Sequence, residues 1–361
     1  MPIRVTKTDP NAQWAITDDV VRLREWGTET IHALPDPPTD VTVGSDPSCE
    51  LRLDDPTRRT SRRHAKLVYD DGKWRLRDLR SKNGLRLDGA HRETFELEPG
   101  SEIGIGGLTL IAESGRSIAL RGFLARILGW ETERSETVDH ALRAIRMAAT
   151  RRAVLALCGE ADLVAIAHSL HRIALGPDRP FVSCDPRRLE TKESARAVEN
   201  HPTGMQAIAA ATGGTVCVLR SRLPPDFASV VSAVRSPEAR VQLVVCSVKP
   251  GEIDVPGSAP IELPALASRA KELRRIIDEY AQDASAELGT PRGIAFPGAD
   301  RNWVIEHASA SLSEIEKATL RLVALRVCGN VNRAAARLGM AHVSLARWIG
   351  RRQLPMRIDH D

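Results

Sequence analysis

Two short polar clusters lie in the first third of this 361-residue chain. Residues 61–64 are Ser-Arg-Arg-His, and residues 81–84 are Ser-Lys-Asn-Gly. Together they offer hydroxyls, guanidinium groups, an ammonium group and a carboxamide, which are donors suited to the oxygens of a phosphate group. The two clusters therefore predict a surface that holds a phosphate. The alternative is that both stretches are ordinary turns between strands.

Short apolar alternations surround both clusters and predict the elements that position them. Between residues 41 and 105, several short runs have an apolar residue at every second position, and Asp-Pro, Asp-Gly, Asn-Gly and Pro-Gly pairs separate them. A period of two with frequent turn residues is typical of an antiparallel β-sandwich whose loops collect at its ends. Both polar clusters fall in such loops.

The same residues resemble the signature of a forkhead-associated (FHA) domain, a reader of phosphothreonine peptides, over residues 20–114. The resemblance rests on Gly44, on Ser61-Arg62-x-His64, on Asp78 and on Ser81-x-Asn83-Gly84. It implies a phosphopeptide site in which Ser61 and Lys82 bind phosphate beside Arg62, Asn83 holds the peptide backbone and His64 braces the loop.

One position departs from the FHA pattern. Ser45 follows Gly44 where the family usually has an arginine that contacts phosphate. Four arginines crowd the next loop with no acid among them, and they could restore the missing charge: Arg58, Arg59, Arg62 and Arg63.

The amino-acid composition limits the number of domains and the class of protein. The chain is long enough for two or three domains, and its 42% hydrophobic content is ordinary for a folded protein. No apolar run reaches membrane-spanning length, and the first residues lack a secretory leader. The six cysteines form no C-x-x-C pair. We therefore expect a cytoplasmic protein with buried thiols, no membrane partner and no metal site.

Residues 135–308 contain nearly all-apolar runs alternating with helical stretches, which predicts a parallel sheet covered by helices. The order of phrases resembles the AAA+ ATPase domain of sigma-54-dependent activators. However, Gly159-Glu160 leads directly into Ala161-Asp162 with no phosphate-loop lysine, and Leu219-Arg220 replaces the metal-binding acidic pair. We expect a degenerate P-loop-like α/β domain that is not an enzyme and has no nucleotide cofactor. Residues 115–134 are predicted to be a linker.

The C-terminal residues carry concentrated positive charge. From Lys317 to Arg357 there are nine Lys or Arg residues and no Asp or Glu, a pattern typical of nucleic-acid binding. Three helices are predicted: the first is capped by Ser313 with Glu316 as its capping-box partner, and the others span about 331–338 and 342–351. A small helical bundle with a solvated basic face is the alternative.

Residues 311–357 resemble the Fis-type helix-turn-helix of bacterial enhancer-binding activators. The resemblance rests on Gly-Asn-Val-x-Arg-Ala-Ala-x-x-Leu-Gly-Met from residue 329. It implies binding to double-stranded DNA, with a homodimer expected to form through the helix from Ser313 to Val327. The implied DNA-binding residues are Asn332, Arg333, His342, Ser344, Arg347, Arg351 and Arg352.

The whole sequence thus predicts a multidomain α/β protein: an FHA β-sandwich, a degenerate AAA+ domain and a C-terminal helix-turn-helix. The expected function is a transcription regulator that reads a phosphothreonine-containing protein and binds DNA. The alternative is a phospho-dependent signalling adaptor whose helix-turn-helix does not bind DNA.

Overall fold

Residues 18–114 form two β-sheets packed face to face. A computed structural model of the chain describes residues 18–130, 134–151, 153–191, 198–236, 238–249, 260–289, 296–351 and 354. The strands of the first part are β1 (Val20–Glu25), β2 (Ile31–Ala33), β3 (Val41–Gly44), β4 (Leu51–Arg52), β5 (Ala65–Asp70), β6 (Lys73–Asp78), β7 (Leu85–Leu87), β8 (Ala90–Arg92), β9 (Thr94–Glu96), β10 (Glu102–Ile105) and β11 (Leu108–Ser114).

The predicted β-sandwich is confirmed. One sheet has the order β2-β1-β11-β10-β7-β8 and the other β4-β3-β5-β6-β9. All neighbours are antiparallel except β3 and β4. The period-two pattern places alternate side chains between the sheets: in β6, Trp74 and Leu76 are buried while Lys73 and Arg77 are exposed.

The predicted linker over 115–134 is wrong for most of its length. Helix α1 spans Gly115–Leu128, and the Ser114 hydroxyl accepts a hydrogen bond from the Ser117 amide at its start. Leu120, Leu124 and Ile127 recur at helical spacing and are buried in the core that α1 shares with the helices that follow it. Sequence reasoning missed this apolar stripe; residues 131–133 lie outside the described ranges.

Helix α2 (Ser135–Arg151) is fixed to the outer face of the sandwich sheet that contains β1 and β11. Arg24 of β1, which is fully buried, donates from Nε to Glu113 Oε1 at 2.7 Å and from Nη1 to Asp139 Oδ2 at 3.1 Å. The Gly27 amide also donates to Asp139 at 2.8 Å. This buried network joins the sandwich to the helical part of the chain.

A parallel sheet lies in the middle of the chain, as predicted. The sheet has the order β14-β13-β15-β16-β12-β17, and every paired neighbour is parallel. Helix α3 packs on one face, where α1 belongs to the same buried core, and α4 and α5 cover the other face. The elements up to β17 are β12 (Leu155–Cys158), α3 (Leu163–Leu175), β13 (Phe181–Cys184), β14 (Glu199–Asn200), α4 (Gly204–Ala210), β15 (Thr215–Leu219), α5 (Phe227–Arg235), β16 (Gln242–Ser247) and β17 (Ile261–Glu262).

A buried histidine connects α3 to this sheet. His171 Nε2 lies 2.9 Å from the Arg179 carbonyl oxygen and so donates to it, which leaves Nδ1 to accept from the Thr215 hydroxyl at 2.8 Å. Burial lowers the pKa of His171 to about 4, although the hydrogen bond to Arg179 opposes the shift. The imidazole is therefore neutral at physiological pH.

Five helices complete the described chain: α6 (Leu273–Glu287), α7 (Gly298–His307), α8 (Leu312–Cys328), α9 (Val331–Arg337) and α10 (His342–Gly350). The predicted cap at Ser313 is wrong, because the Ser311 hydroxyl accepts from the Glu314 amide at 3.2 Å and Ser313 is buried inside α8. No helix in the described ranges is both long and apolar enough to cross a bilayer.

The structure removes the argument for a dimer through the helix from Ser313 to Val327. Its Ile315, Leu322 and Leu325 side chains are buried within the chain, where α8 packs on α6 and α9. Most apolar side chains of this fully described helix therefore pack inside the chain, although Val327 is 43% exposed, and they form no unpartnered apolar face that requires a second copy.

Candidate functional site

The two predicted clusters meet at one end of the sandwich. Residues 53–64 connect β4 to β5, and residues 79–84 connect β6 to β7. The half-buried Ser61 hydroxyl accepts a hydrogen bond from the Lys82 backbone amide at 3.0 Å. This contact holds the serine of one loop against the lysine of the other, so both face the same patch of solvent.

His64 ties the loops together from below. The side chain is fully buried; Nδ1 accepts from the Ser61 amide at 3.0 Å, and Nε2 lies 3.1 Å from the Gly84 carbonyl oxygen. Because a carbonyl only accepts, Nε2 carries the proton and the imidazole is the neutral tautomer. A buried side chain bonded on both nitrogens positions its neighbours and cannot itself reach a ligand.

Asn83 and Arg62 lie at the rim of the same loops. Asn83 Nδ2 donates to the Arg59 carbonyl oxygen at 2.6 Å, which fixes the carboxamide across the gap between the loops. Its Oδ1 is left as an acceptor for a peptide amide. Arg62 and Lys82 are both exposed. The structure thus brings all five predicted residues of this site to one end of the sandwich, with His64 beneath the other four.

Asp55 organises the longer loop, and sequence reasoning missed it. Its Oδ1 accepts from the amide and hydroxyl of Thr57, and its Oδ2 accepts from the amides of Arg59, Thr60 and Gly107 and from the Thr60 hydroxyl. Burial works to raise the pKa of Asp55, but these hydrogen bonds outweigh it and hold the pKa far below its ordinary value. The Asp-Pro-Thr sequence, typical of an Asx turn, was the available signal.

Position 44, at the end of β3, has no room for a side chain. A Cβ at Gly44 would lie 2.0 Å from the Arg62 carbonyl oxygen. The close approach lets the amides of Ser45 and Asp46 donate to the carbonyls of Ser61 and Arg62 at 3.1 and 3.0 Å. The Ser45 hydroxyl donates to the Thr60 carbonyl at 3.2 Å, so this residue braces the loop from behind.

Positive charge dominates the rim of the site. Six exposed cations lie on the two loops, and none forms an ion pair within the described part of the chain. Around a phosphate, such unpaired guanidinium and ammonium groups would form charge-assisted hydrogen bonds. The six are Arg58, Arg59, Arg62, Arg63, Arg80 and Lys82.

The predicted nucleic-acid face is a separate surface on α9 and α10. Asn330 caps α9 by accepting from the amides of Asn332 and Arg333, and Gly339 takes a left-handed φ of 60° at the turn before α10. Leu345 and Trp348 are buried on the inner side of α10. The predicted side chains on the outer side are all exposed, namely Asn332, Arg333, His342, Ser344, Arg347 and Arg351; Arg352 lies outside the described residues.

An aromatic contact fixes this pair of helices to α7. The rings of Trp348 and Trp303 meet edge to face, with centroids 5.6 Å apart, and the Arg321 guanidinium lies 5.2 Å from the centre of the Trp348 ring. The buried side of α10 is thereby committed to packing, and its exposed side, where Arg347 lies, remains available.

The third candidate for a functional site is the carboxyl edge of the parallel sheet, where β12 ends. A cleft of about 380 Å³ lies there, lined partly by Asp162, Ser221 and Lys249. The Asp162 carboxylate caps α3, with its oxygen 3.5 Å from the Ala165 amide. An anion at this helix end would meet that negative charge.

Comparisons with known proteins concern the sandwich. Residues 41–106 match the family model of the FHA domain, and this region is an FHA domain. Among solved structures, an FHA domain of Mycobacterium tuberculosis Rv1747 has 28% identity and a TM-score of 0.22, covering 26% of this chain and 97% of that one. An FHA domain of the Chlamydia trachomatis protein CT664 has 24% identity and a TM-score of 0.23, covering 26% and 95%. No curated protein matches the sequence.

Proposed function

Because residues 41–106 form an FHA domain, we propose that the chain is a bacterial transcription regulator that reads phosphothreonine through this domain and binds DNA through α9 and α10. The middle of the chain would serve as an inactive, ATPase-like scaffold between the two. The observation that carries the proposal is the convergence of Ser61, Lys82 and Asn83 on one rigid end of the sandwich.

The chemistry of that end supports phosphothreonine rather than an uncharged residue. A phosphate group carries a charge of about −1.5 to −2 and offers three acceptor oxygens. The Ser61 hydroxyl, the Lys82 ammonium and the Arg62 guanidinium are donors carried by the same two loops, which the Lys82 amide joins at the Ser61 hydroxyl, and Asn83 would hold a peptide main chain. Since His64 and Asp55 pre-organise both loops, binding would cost little additional ordering of the protein.

DNA binding is supported by charge and by exposure. The part of the chain from residue 317 to residue 357 lacks acidic residues, so none of its own side chains opposes the attraction of DNA phosphates. Arg347 projects from the middle of α10, where a side chain in the major groove would reach a base edge. Arg351 follows the helix end, where the DNA backbone would run.

The middle of the chain is proposed to lack ATPase activity. Phosphoryl transfer needs a lysine and a metal-bound acidic residue near the transferred phosphate. At the carboxyl edge of the sheet, Asp162 stands at the start of α3 and Arg220 directly follows β15. A carboxylate would repel the nucleotide phosphates, and a guanidinium would repel the metal ion.

A second candidate function is a phospho-dependent adaptor that does not bind DNA. The packing of Trp348 against Trp303 favours it, since it shows that α10 also has a structural role within the chain. In that case the basic outer face of α9 and α10 would be merely solvated.

Two measurements on the full chain test these candidates, and only the second separates them. The first is the affinity for a phosphothreonine peptide, which both require. The second is the affinity for duplex DNA across a salt series, with Arg347→Ala and Arg351→Ala. The regulator should lose about 1–3 kcal/mol of binding free energy on preferred sites with Arg347→Ala. Arg351→Ala should weaken binding to all sequences alike. No DNA binding at low salt would leave the adaptor.

A further inference from the structure

The loops around Ser61 hold more positive charge than one phosphate needs. Ser61, Arg62, Lys82 and Asn83 already supply donors for a single phosphothreonine. Four further exposed arginines remain on the same two loops: Arg58, Arg59, Arg63 and Arg80. Repulsion among neighbouring cations disfavours such a cluster unless an anion binds it.

The backbone fixes where these cations lie. Asp55 accepts from the Arg59 amide at 3.0 Å, and the same carboxylate holds Gly107 on the adjoining turn. At Gly106, a Cβ would come within 2.8 Å of the Arg59 carbonyl carbon, so the two turns are in direct contact. The backbone that carries Arg58 and Arg59 is therefore held in place by hydrogen bonds to Asp55.

Asp46, an acid near Arg62 and Arg63, does not neutralise them. Asp46 Oδ1 accepts from both the amide and the hydroxyl of Ser48, at 3.0 and 2.7 Å. These bonds lower the pKa of Asp46, and the nearby charges of Arg62 and Arg63 lower it further. Arg62 and Arg63 are close enough to act on this carboxylate but form no ion pair with it within the described chain. Their guanidinium groups stay available to a ligand.

From these observations we infer that the loops bind a peptide with two phosphoryl groups, the second beside the phosphothreonine and held by Arg58 and Arg63. A guanidinium group donates two parallel N–H bonds to a phosphate or to a carboxylate, but a phosphate carries a charge of about −1.5 to −2 and therefore attracts the arginines more strongly than an aspartate does. The inference rests on the proposed phosphothreonine binding and names the class of peptide that this site prefers.

The test uses the full chain and a short alanine-rich peptide with phosphothreonine at its centre. A phosphoserine is placed in turn at each neighbouring position, and an aspartate replaces it at the best position. Affinities are measured by calorimetry near physiological salt. We expect at least one doubly phosphorylated peptide to bind about tenfold more tightly than the singly phosphorylated one, as one charge-assisted contact would give. The aspartate peptide should regain only part of that gain.

The matched variants locate the second phosphate. Arg58 has a left-handed φ of 54°, so Arg58→Asn is combined with Arg63→Gln to avoid backbone strain. The pair should remove the gain from the second phosphate. Because both arginines also add to the positive field around the phosphothreonine, the singly phosphorylated peptide should weaken too, but clearly less than the doubly phosphorylated one. Arg116→Gln with Arg274→Gln, exposed and outside the two loops, removes the same charge and should change neither affinity.

Each contrary outcome has its own meaning. If no doubly phosphorylated peptide gains affinity, or if the variant weakens both peptides equally, the second site does not exist while phosphothreonine binding stands. If phosphorylation changes no affinity at all, the proposed function fails as well. If the variant weakens duplex DNA instead of peptide, the arginines serve nucleic acid and the inference is overturned.

Discussion

Replacing Asp55 should show how far the phosphopeptide loops depend on one buried carboxylate. In Asp55→Asn, the amide oxygen can take the place of Oδ2 and keep its four donors. The amide nitrogen then faces the Thr57 amide and hydroxyl, which both lose their acceptor. Thr57 is exposed and can turn to water, so the buried donor left unsatisfied is the new amide nitrogen at position 55, which costs about 1–3 kcal/mol, and the remaining bonds lose their charge assistance.

We therefore expect Asp55→Asn to lower the free energy of unfolding by about 2–4 kcal/mol and Asp55→Ala by about 4–5 kcal/mol. Urea unfolding of the full chain measures both. Asp54→Asn is the matched control, because Asp54 is exposed and its neighbour is buried. It should stay within about 0.5 kcal/mol of the unmodified chain.

The pH dependence gives a second, independent readout. Because the pKa of Asp55 is lower in the folded chain, its contribution is fully present above the unfolded pKa of about 3.9. It is lost as the pH falls from there toward the folded pKa, where the carboxylate becomes protonated. The stability difference between the unmodified chain and Asp55→Asn should therefore shrink below about pH 4. A loss under about 1 kcal/mol at pH 7, or a difference that grows in acid, would refute the reasoning.

Three further substitutions test other parts of the structure. Gly44→Ala should lower the free energy of unfolding in urea by about 1–3 kcal/mol, because its Cβ would lie 2.0 Å from a main-chain oxygen. Gly122→Ala, whose Cβ would meet open space, should not lower it. Equal effects of the two substitutions would contradict this prediction. The pKa of His171 is lowered to about 4 in the folded chain, so the neutral imidazole stabilises the fold fully above about pH 6.5. As the pH falls from about 6.5 to about 4, the free energy of unfolding should drop by about 3 kcal/mol. His171→Phe should remove this pH dependence. Asp139→Ala leaves Arg24 buried with one carboxylate and should cost about 3–5 kcal/mol in thermal unfolding; a loss below about 1 kcal/mol would show that the network is not what fixes α2.

The sandwich was predictable from sequence because its signals are local. Alternation of apolar residues fixes which face of a strand is buried, and Gly and Asn-Gly turns mark where the strands end. The two polar clusters had to lie in loops once the strands were assigned. That they meet at the same end depends on strand order, which the FHA resemblance supplied and the alternation did not.

The parts that were missed depend on contacts distant in sequence. Asp55 bonds to Gly107, 52 positions away, and nothing local reveals that partner. Helix α1 appeared to be a linker because it packs against α2 and α3, which come later in the chain. Ser311 and Ser313 are both good caps, and packing of α8 decided between them.

The central claim is that Ser61, Lys82 and Asn83 read phosphothreonine. The most direct measurement compares the affinity of the full chain for one peptide with and without phosphate on its threonine, repeated with Asn83→Ala and with Asn302→Ala as an exposed control on α7. The account predicts that the phosphorylated peptide binds at least about tenfold more tightly. It also predicts that Asn83→Ala weakens binding by about tenfold or more without lowering the melting temperature, while Asn302→Ala has no effect. Equal affinity for the two peptides would contradict the claim.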